Sequence, residues 1–426
     1  MKRILIKNTN LISMDEKRNK IENNVDILIE DDKIIDIANN INSDALVIDG
    51  TGKYVLPGLV NAHCHIPMSI FKETVDGYPL KEWLEQSIWP REAKLTNDDV
   101  YYASLLSFIE MIKTGTTTVN DHYFFQDEII RAGQKAGIHL IETRVVMDSD
   151  NNGDDRYQEL VTFLDKYKSN NYLDLSIGIH GLYTNSEEYV KKVCSLAREK
   201  NLLVHMHFCE DANEVATIKH NYRVNHPAEV LQNYFSDLKI VLAHGVKLDD
   251  NDIQIMKDMN VGIAHCPVTN LKLGSGIADI AKLKGNNIPV ALGTDGPGSG
   301  SNFDMFEVMK FAALLQKGTH EEPLLMPAYD VLKMATIEGA KVLGLSHKIG
   351  SIEVGKQANL IVVSLDNIKT QPVNDVIADI VYNANQNNIE HVMVNGNLIL
   401  KNHHLCQLDE KEIIEKCNAI TKRIFN

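Results

Sequence analysis

The 426-residue sequence predicts an α/β chain, a (β/α)8 TIM-like barrel with a small β-sandwich domain built from both chain termini. Three observations carry this. Through the middle of the chain, eight apolar runs alternate with amphipathic helical segments, the pattern of a parallel sheet with crossover helices. At each end the runs are short, β-type and separated by turn residues, and neither end alone has enough strands for a stable core. Nearly every middle run stays apolar until its C-terminal end, then finishes on His, Asp, Glu or Arg. In a barrel those ends converge on one mouth, where active sites lie.

Taken in order, "ILIKNTNLISM", "VDILIEDDKIIDIA" and "ALVIDGTGKYV" give the N-terminal part of the small β-domain, residues 1–55. The barrel is drawn over 56–355, with strands in "VLPGLVNAHCH", "TTTVNDHY", "HLIETRVVMD", "LDLSIGIHG", "LVHMHFCE", "IVLAHGV", "VGIAHCP" and "VALGTDGP". Helical segments between them carry capping signals: Thr96 precedes Asp98 and Asp99, and Asn185-Ser186 precedes Glu187 and Glu188. Residues 356–426 return to β-type runs, "ANLIVVSLD" and "EHVMVNGNLIL" with a tight turn at "VNG", and close on a terminal helix in "DEKEIIEKCNAITKRI". No internal repeat points to a solenoid.

Composition narrows the function classes. A hydrophobic content of 44% and a charged content of 24% are ordinary for a soluble globular chain. A formal net charge of −15 argues against nucleic acid as a partner, since phosphate binding needs a basic surface. No apolar run is long enough to span a bilayer, and "MKRILIKNTN" is too short in apolar residues for a signal peptide. Six scattered cysteines fit reduced thiols, so a cytoplasmic enzyme with no membrane partner is expected. Copies of the chain itself are the expected protein partner, a homo-oligomer, although no residue pattern sets their number.

The strand ends hold the chemistry. His63 and His65 lie two apart, and i and i+2 on a strand share a face, as two ligands of one ion require. The fifth run carries His205, His207 and Glu210, the sixth ends in His244, the seventh carries His265 and the eighth ends in Asp295. Imidazoles with one carboxylate suit one divalent ion per subunit, Zn2+ first and Fe2+ as a compatible alternative. The chosen ligands are His63, His65, His207 and Asp295, with water at an open position. Periodicity alone does not separate His205 from His207; His205, one pleat deeper, is expected to orient its neighbour. Cys64 points away from the histidine pair, and Cys209 and Cys266 read as small buried fillers.

The stretches "PGLVNAHCHIPM", "VHMHFCED", "LAHGV", "AHCPVTNLKLGSG", "LGTDGPGS" and "GSIEVGKQANLIVV" together resemble the amidohydrolase superfamily, and more narrowly its 5′-methylthioadenosine/S-adenosylhomocysteine deaminase family. The resemblance covers essentially the whole chain. It implies the metal ligands His63, His65, His207 and Asp295, the catalytic glutamate at Glu210 and the histidine beside the reacting water at His244. It implies a nucleoside site in which Glu92 holds the ribose hydroxyls and Trp83 lines the pocket. Arg144 and Arg156 would meet the substrate's carboxylate end, and His180 would contact the purine or ribose side.

The implied reaction is hydrolytic deamination at C6 of adenine. Asp295 accepts the proton of the attacking water, His244 hydrogen-bonds it, and Glu210 protonates N1 and then helps the amine depart. Guanine deaminases and triazine hydrolases share most of these motifs, and adenosine or 5′-deoxyadenosine is an alternative substrate. A cyclic-amide hydrolase with a carbamylated lysine is disfavoured because "LDLSIGIHG" has no lysine. A scaffold that has lost catalysis is the alternative of another class, and it would be expected to have lost ligands. Two departures from the family stand out: "GPGSGSNFDMF" after Asp295, expected to alter the loop over the purine, and His122, where methionine is common, expected in the pocket wall.

Overall fold

Val- and Ile-rich runs become strands because branched side chains pack well on a pleated surface. The computed structural model describes residues 2–74 and 77–425. Five strands open the chain: β1 (Arg3–Leu11), β2 (Glu22–Glu30), β3 (Lys33–Ala38), β4 (Leu46–Asp49) and β5 (Tyr54–Pro57). Eight follow in the middle: β6 (Leu59–Cys64), β7 (Thr116–Asp121), β8 (His139–Val146), β9 (Leu173–Gly181), β10 (Leu203–Phe208), β11 (Ile240–His244), β12 (Val261–His265) and β13 (Val290–Leu292). The last four are β14 (Leu360–Val363), β15 (Ile389–Val394), β16 (Asn397–Lys401) and β17 (His404–Leu405).

The middle eight run parallel in sequence order, each paired with the next. First and last staves meet where the Asp295 N–H donates to the His63 carbonyl at 3.0 Å. The Asn61 side chain donates to Thr294 Oγ1 at 2.7 Å and accepts from the Thr294 N–H at 3.1 Å. Gly293 permits this approach, since a Cβ there would lie 2.9 Å from the His63 carbonyl oxygen. The barrel interior opposite the polar strand ends is filled by Val60, Ala62, Ile141, Val241, Ala264 and Ala291, packed on Val342, Leu343 and Leu345.

Both termini build the second sheet, in the order β17-β16-β15-β14-β5-β1-β2-β3 with β4 beside β1. Its join is β5 against β14, antiparallel, with Tyr54 opposite Val363. The run "VLPGLVNAHCH" is therefore two strands of two different sheets, and the chain passes from one to the other at Gly58. Likewise "VDILIEDDKIIDIA" is a hairpin, turned at Asp31 with a left-handed φ of 53°.

Helices cover the barrel. Asn97–Lys113 starts on a capping box of Thr96 and Asp99, and Glu187–Lys200 starts on Ser186. The terminal helix Glu410–Phe425 buries Ile413, Cys417, Ile420 and Ile424 and packs on Asn97–Lys113. Among the described residues no helix is long and apolar enough to cross a membrane. All six cysteines are free thiols.

Candidate active site

Three strand ends, those of β6, β10 and β13, bring the ligand candidates together. Asp295 Oδ1 lies 3.1 Å from His65 Nε2 and 3.4 Å from His63 Nε2, and His65 Nε2 lies 3.3 Å from His207 Nε2. The orienting contacts fix the tautomers. His65 Nδ1–H donates to the His122 carbonyl at 2.6 Å, and His207 Nδ1–H donates to the His180 carbonyl at 2.7 Å. With both rings neutral each has a bare Nε2, and the two lone pairs face each other, which is repulsive unless positive charge, an ion or in its absence a proton, stands between them. His63 Nε2 is buried with no hydrogen-bond partner. A divalent cation answers all three conditions, and an N3O donor set suits a zinc-type ion.

Electrostatics agree with the geometry. Burial would lower the His65 imidazole, but contact with the Asp295 carboxylate outweighs it and raises it to about 9. At His63 burial dominates and lowers the imidazole to about 4. Burial opposes ionisation of Asp295, yet its contacts with His63 and His65 hold it well below the usual carboxylate range. The ring of donors is arranged to hold positive charge at its centre.

Sequence periodicity left His205 open, and the structure gives it a different neighbour from the one expected. Its Nε2 lies 2.8 Å from His63 Nδ1, across the barrel, so it orients His63 rather than His207. With the shared proton on His63 Nδ1, His63 Nε2 is free to ligate. Asn120 Nδ2 approaches the far nitrogen of His205 at 3.1 Å. Cys64, Cys209 and Cys266 are buried, and burial raises each thiol well above its ordinary value, which disfavours thiolate ligation.

Glu210 and His244 face the same centre, with His244 Nε2 3.5 Å from Glu210 Oε2. Burial, assisted by the Asp295 charge, raises the Glu210 carboxyl well above its ordinary value. Burial also lowers His244, keeping the ring neutral, and its Nδ1–H donates to Asn270 Oδ1 at 3.0 Å. Glu214 holds the turn after β10 by accepting from the Cys209 and Glu210 N–H groups at 3.0 and 2.7 Å. His244 and Asp295 have left-handed φ values of 76° and 60°. Such conformations cost of order 1–3 kcal/mol each and persist where the surroundings over-determine them.

These groups open into a cavity of about 1380 Å³ that is lined by every other expected substrate residue: Trp83, Glu92, Arg144, Arg156 and His180. Glu92 accepts from the Tyr123 hydroxyl, and burial raises its carboxyl. His180 Nδ1 lies 3.1 Å from Thr184 Oγ1. Arg144 is buried and paired with Glu159; Arg156 is paired with Asp150. Arg156 stands in the first turn of helix Gly153–Lys166. The glycine-rich stretch after Asp295 packs inward: a Cβ on Gly298 would lie 3.1 Å from both Met68 and Trp83. It also puts the Ser299 hydroxyl 3.3 Å from Asp295 Oδ2.

Tyr123, Glu214, Asn270 and Ser299 were not read from the sequence. Asn270 and Ser299 lie inside quoted motifs, and Glu214 lies four residues beyond Glu210, so proximity to the motif was the available signal.

Comparisons with known proteins fit this geometry. The model of the amidohydrolase family matches residues 54–399. A 5-methylthioadenosine/S-adenosylhomocysteine deaminase of Thermoanaerobacter pseudethanolicus is 38% identical over 99% of each chain. Its counterpart from Thermodesulfovibrio yellowstonii is 37% identical over 100% of this chain and 99% of its own. Among solved structures, a zinc-bound adenosine deaminase from Xanthomonas campestris superposes with a TM-score of 0.95 at 29% identity, covering 99% of this chain and 98% of that one. A zinc complex of an atrazine chlorohydrolase from Arthrobacter aurescens TC1, at 24% identity and a TM-score of 0.92 over 98% and 100% of the two chains, shows the shared fold alone. The chain belongs to the amidohydrolase family, in the group that includes the 5-methylthioadenosine/S-adenosylhomocysteine deaminases.

Proposed function

We propose that the chain is a metal-dependent hydrolytic deaminase that replaces the 6-amino group of an adenosine derivative, 5′-methylthioadenosine or S-adenosylhomocysteine, by oxygen and releases ammonia. The observation that carries this is the meeting of His63 and His65 with Asp295, and of His65 with His207, beneath a cavity whose wall holds Glu210 and His244. Those four residues would hold one divalent ion per chain, zinc first and iron(II) compatible, which would supply the Lewis acidity that brings the pKa of water from 15.7 to about 7.

The remaining work falls to this chain's side chains. Asp295 takes a proton from the attacking water. His244, neutral and with Nδ1 committed to Asn270, offers its Nε2 lone pair to the same water and fixes its direction. Glu210 is buried and inclined to keep its proton, so it donates to N1 of the ring and makes C6 electrophilic. As the C6–N bond breaks, Glu210 passes the proton of the new C6 hydroxyl to the departing amine, the proton taken up by Asp295 returns to Glu210, and the ring retains a proton on N1. Glu92, steadied by Tyr123, is placed for the ribose hydroxyls, with Trp83 and His180 bounding the nucleoside.

A second reading concerns the 5′ group. Arg144 and Arg156 each already hold a carboxylate of this chain, which favours an uncharged 5′ substituent, as in methylthioadenosine, 5′-deoxyadenosine or adenosine. Ammonia release from these three and S-adenosylhomocysteine, measured side by side, tests both. Turnover of methylthioadenosine and S-adenosylhomocysteine above adenosine supports the first reading. Slow turnover of S-adenosylhomocysteine alone supports the second, and silence on all four sinks the deaminase. The same proposal carries a cytoplasmic, homo-oligomeric enzyme, which sedimentation and fractionation check.

A further inference from the structure

His122 follows the last residue of β7 and is 2% exposed. Its Nε2 lies 3.2 Å from the Ile179 carbonyl, which can only accept, so the ring proton belongs on Nε2 and Nδ1 keeps a lone pair. That Nδ1 is buried and has no hydrogen-bond partner. A buried acceptor left unmet is costly, and a cation in the site would meet it.

The pattern is that of the ligand histidines. His65 and His207 each direct one ring nitrogen to a backbone carbonyl and the other away from it, and His122 likewise commits Nε2 to a carbonyl and leaves Nδ1 without a partner. Its ring centroid lies 4.6 Å from that of His207 and 5.7 Å from that of His65. One nitrogen from each of the three rings lies within 4.8 Å of the other two.

We propose that His122 is an additional imidazole ligand of the bound ion, raising the protein's donors from N3O to N4O. This rests on the ligand set proposed above. With one water the ion then has six donors, which moves the site away from the four-coordinate preference of zinc and toward ions that accept octahedral surroundings, such as iron(II) or cobalt(II).

Cobalt(II) loaded into the metal-free full-length chain reads out the donor number, because six-coordinate cobalt absorbs weakly in the visible and four- or five-coordinate cobalt several-fold more strongly. The wild type is expected to absorb weakly. His122→Met and His122→Asn are expected to absorb several-fold more strongly and to release cobalt to a chelator at least tenfold faster. Identical spectra and release rates in wild type and variants overturn the proposal. X-ray absorption on the cobalt-loaded wild type, which needs no variant, counts the imidazoles: four support it and three overturn it. Three imidazoles with intact ammonia release leave the deaminase standing, whereas a wild type that binds no cobalt removes both.

Discussion

In the proposed reaction Glu210 would give a proton to a ring nitrogen and later pass one to a leaving amine, and its burial beside Asp295 suits it to keep a proton until then. Glu210→Gln should therefore keep the bound ion and the fold while turnover falls about 10²–10⁴-fold, the usual worth of a general acid–base group. Metal analysis and ammonia release on one preparation check this, and near-normal turnover removes the proton role. Glu92→Ala should raise KM for nucleosides and leave free adenine nearly unaffected; equal effects on both remove the ribose assignment. His265 makes a separate prediction. Both its ring nitrogens are buried without partners, and burial lowers it to about 3. The unfolded chain takes up this proton near pH 6.5 and the folded one does not, so stability falls as pH drops from about 6.5 toward 3. At pH 5 the loss is about 2 kcal/mol, and His265→Gln should flatten the denaturation midpoint against pH by roughly one proton. At this scale the meeting of His63 and His65 at Asp295 was legible because a strand's period of two aims the two imidazoles together. Tyr123 on Glu92 and His205 on His63 were not, because those partners lie 31 and 142 residues apart and meet only through the closed barrel.

The elements that matter most are the ends of β6 and β13. Gly293→Ala would force a Cβ to 2.9 Å from the His63 carbonyl oxygen, so the backbone must shift at the seam that delivers Asp295 to His63 and His65. Overpacking of this kind costs about 1–3 kcal/mol, and here it should also loosen the ion. A lower denaturation midpoint together with weaker metal retention in chelator competition is the expected result; unchanged retention would separate the seam from the site. All eight barrel runs were legible as strands, because continuous apolar runs of that length between helical segments are characteristic of parallel sheets. The join between β5 and β6 was not, since hydrophobicity continues across Gly58 while the sheet changes. Nor was helix Val376–Tyr382, a seven-residue segment whose apolar residues read equally as loop packing.

For the molecule as a whole, an ion at the proposed site would tie together staves that the chain places far apart. Anything that binds only the folded state stabilises it, by about 4 kcal/mol when free ion exceeds its Kd a thousandfold. Stripping the ion should therefore lower the thermal midpoint by several degrees as well as abolish turnover, and zinc should restore both; a midpoint indifferent to chelator would place the ion elsewhere. The terminal helix Glu410–Phe425 and the pairing of β5 with β14 extend the same logic, because residues near both chain ends brace the barrel that lies between them. The seam where Asp295 bonds His63 has a consequence for biosynthesis. A chain still emerging from the ribosome has its first two imidazoles long before their carboxylate, and the edge strand that completes the flanking sheet comes later still. Such a nascent polypeptide offers a cation no finished cage until its last barrel strand has emerged and paired with the first.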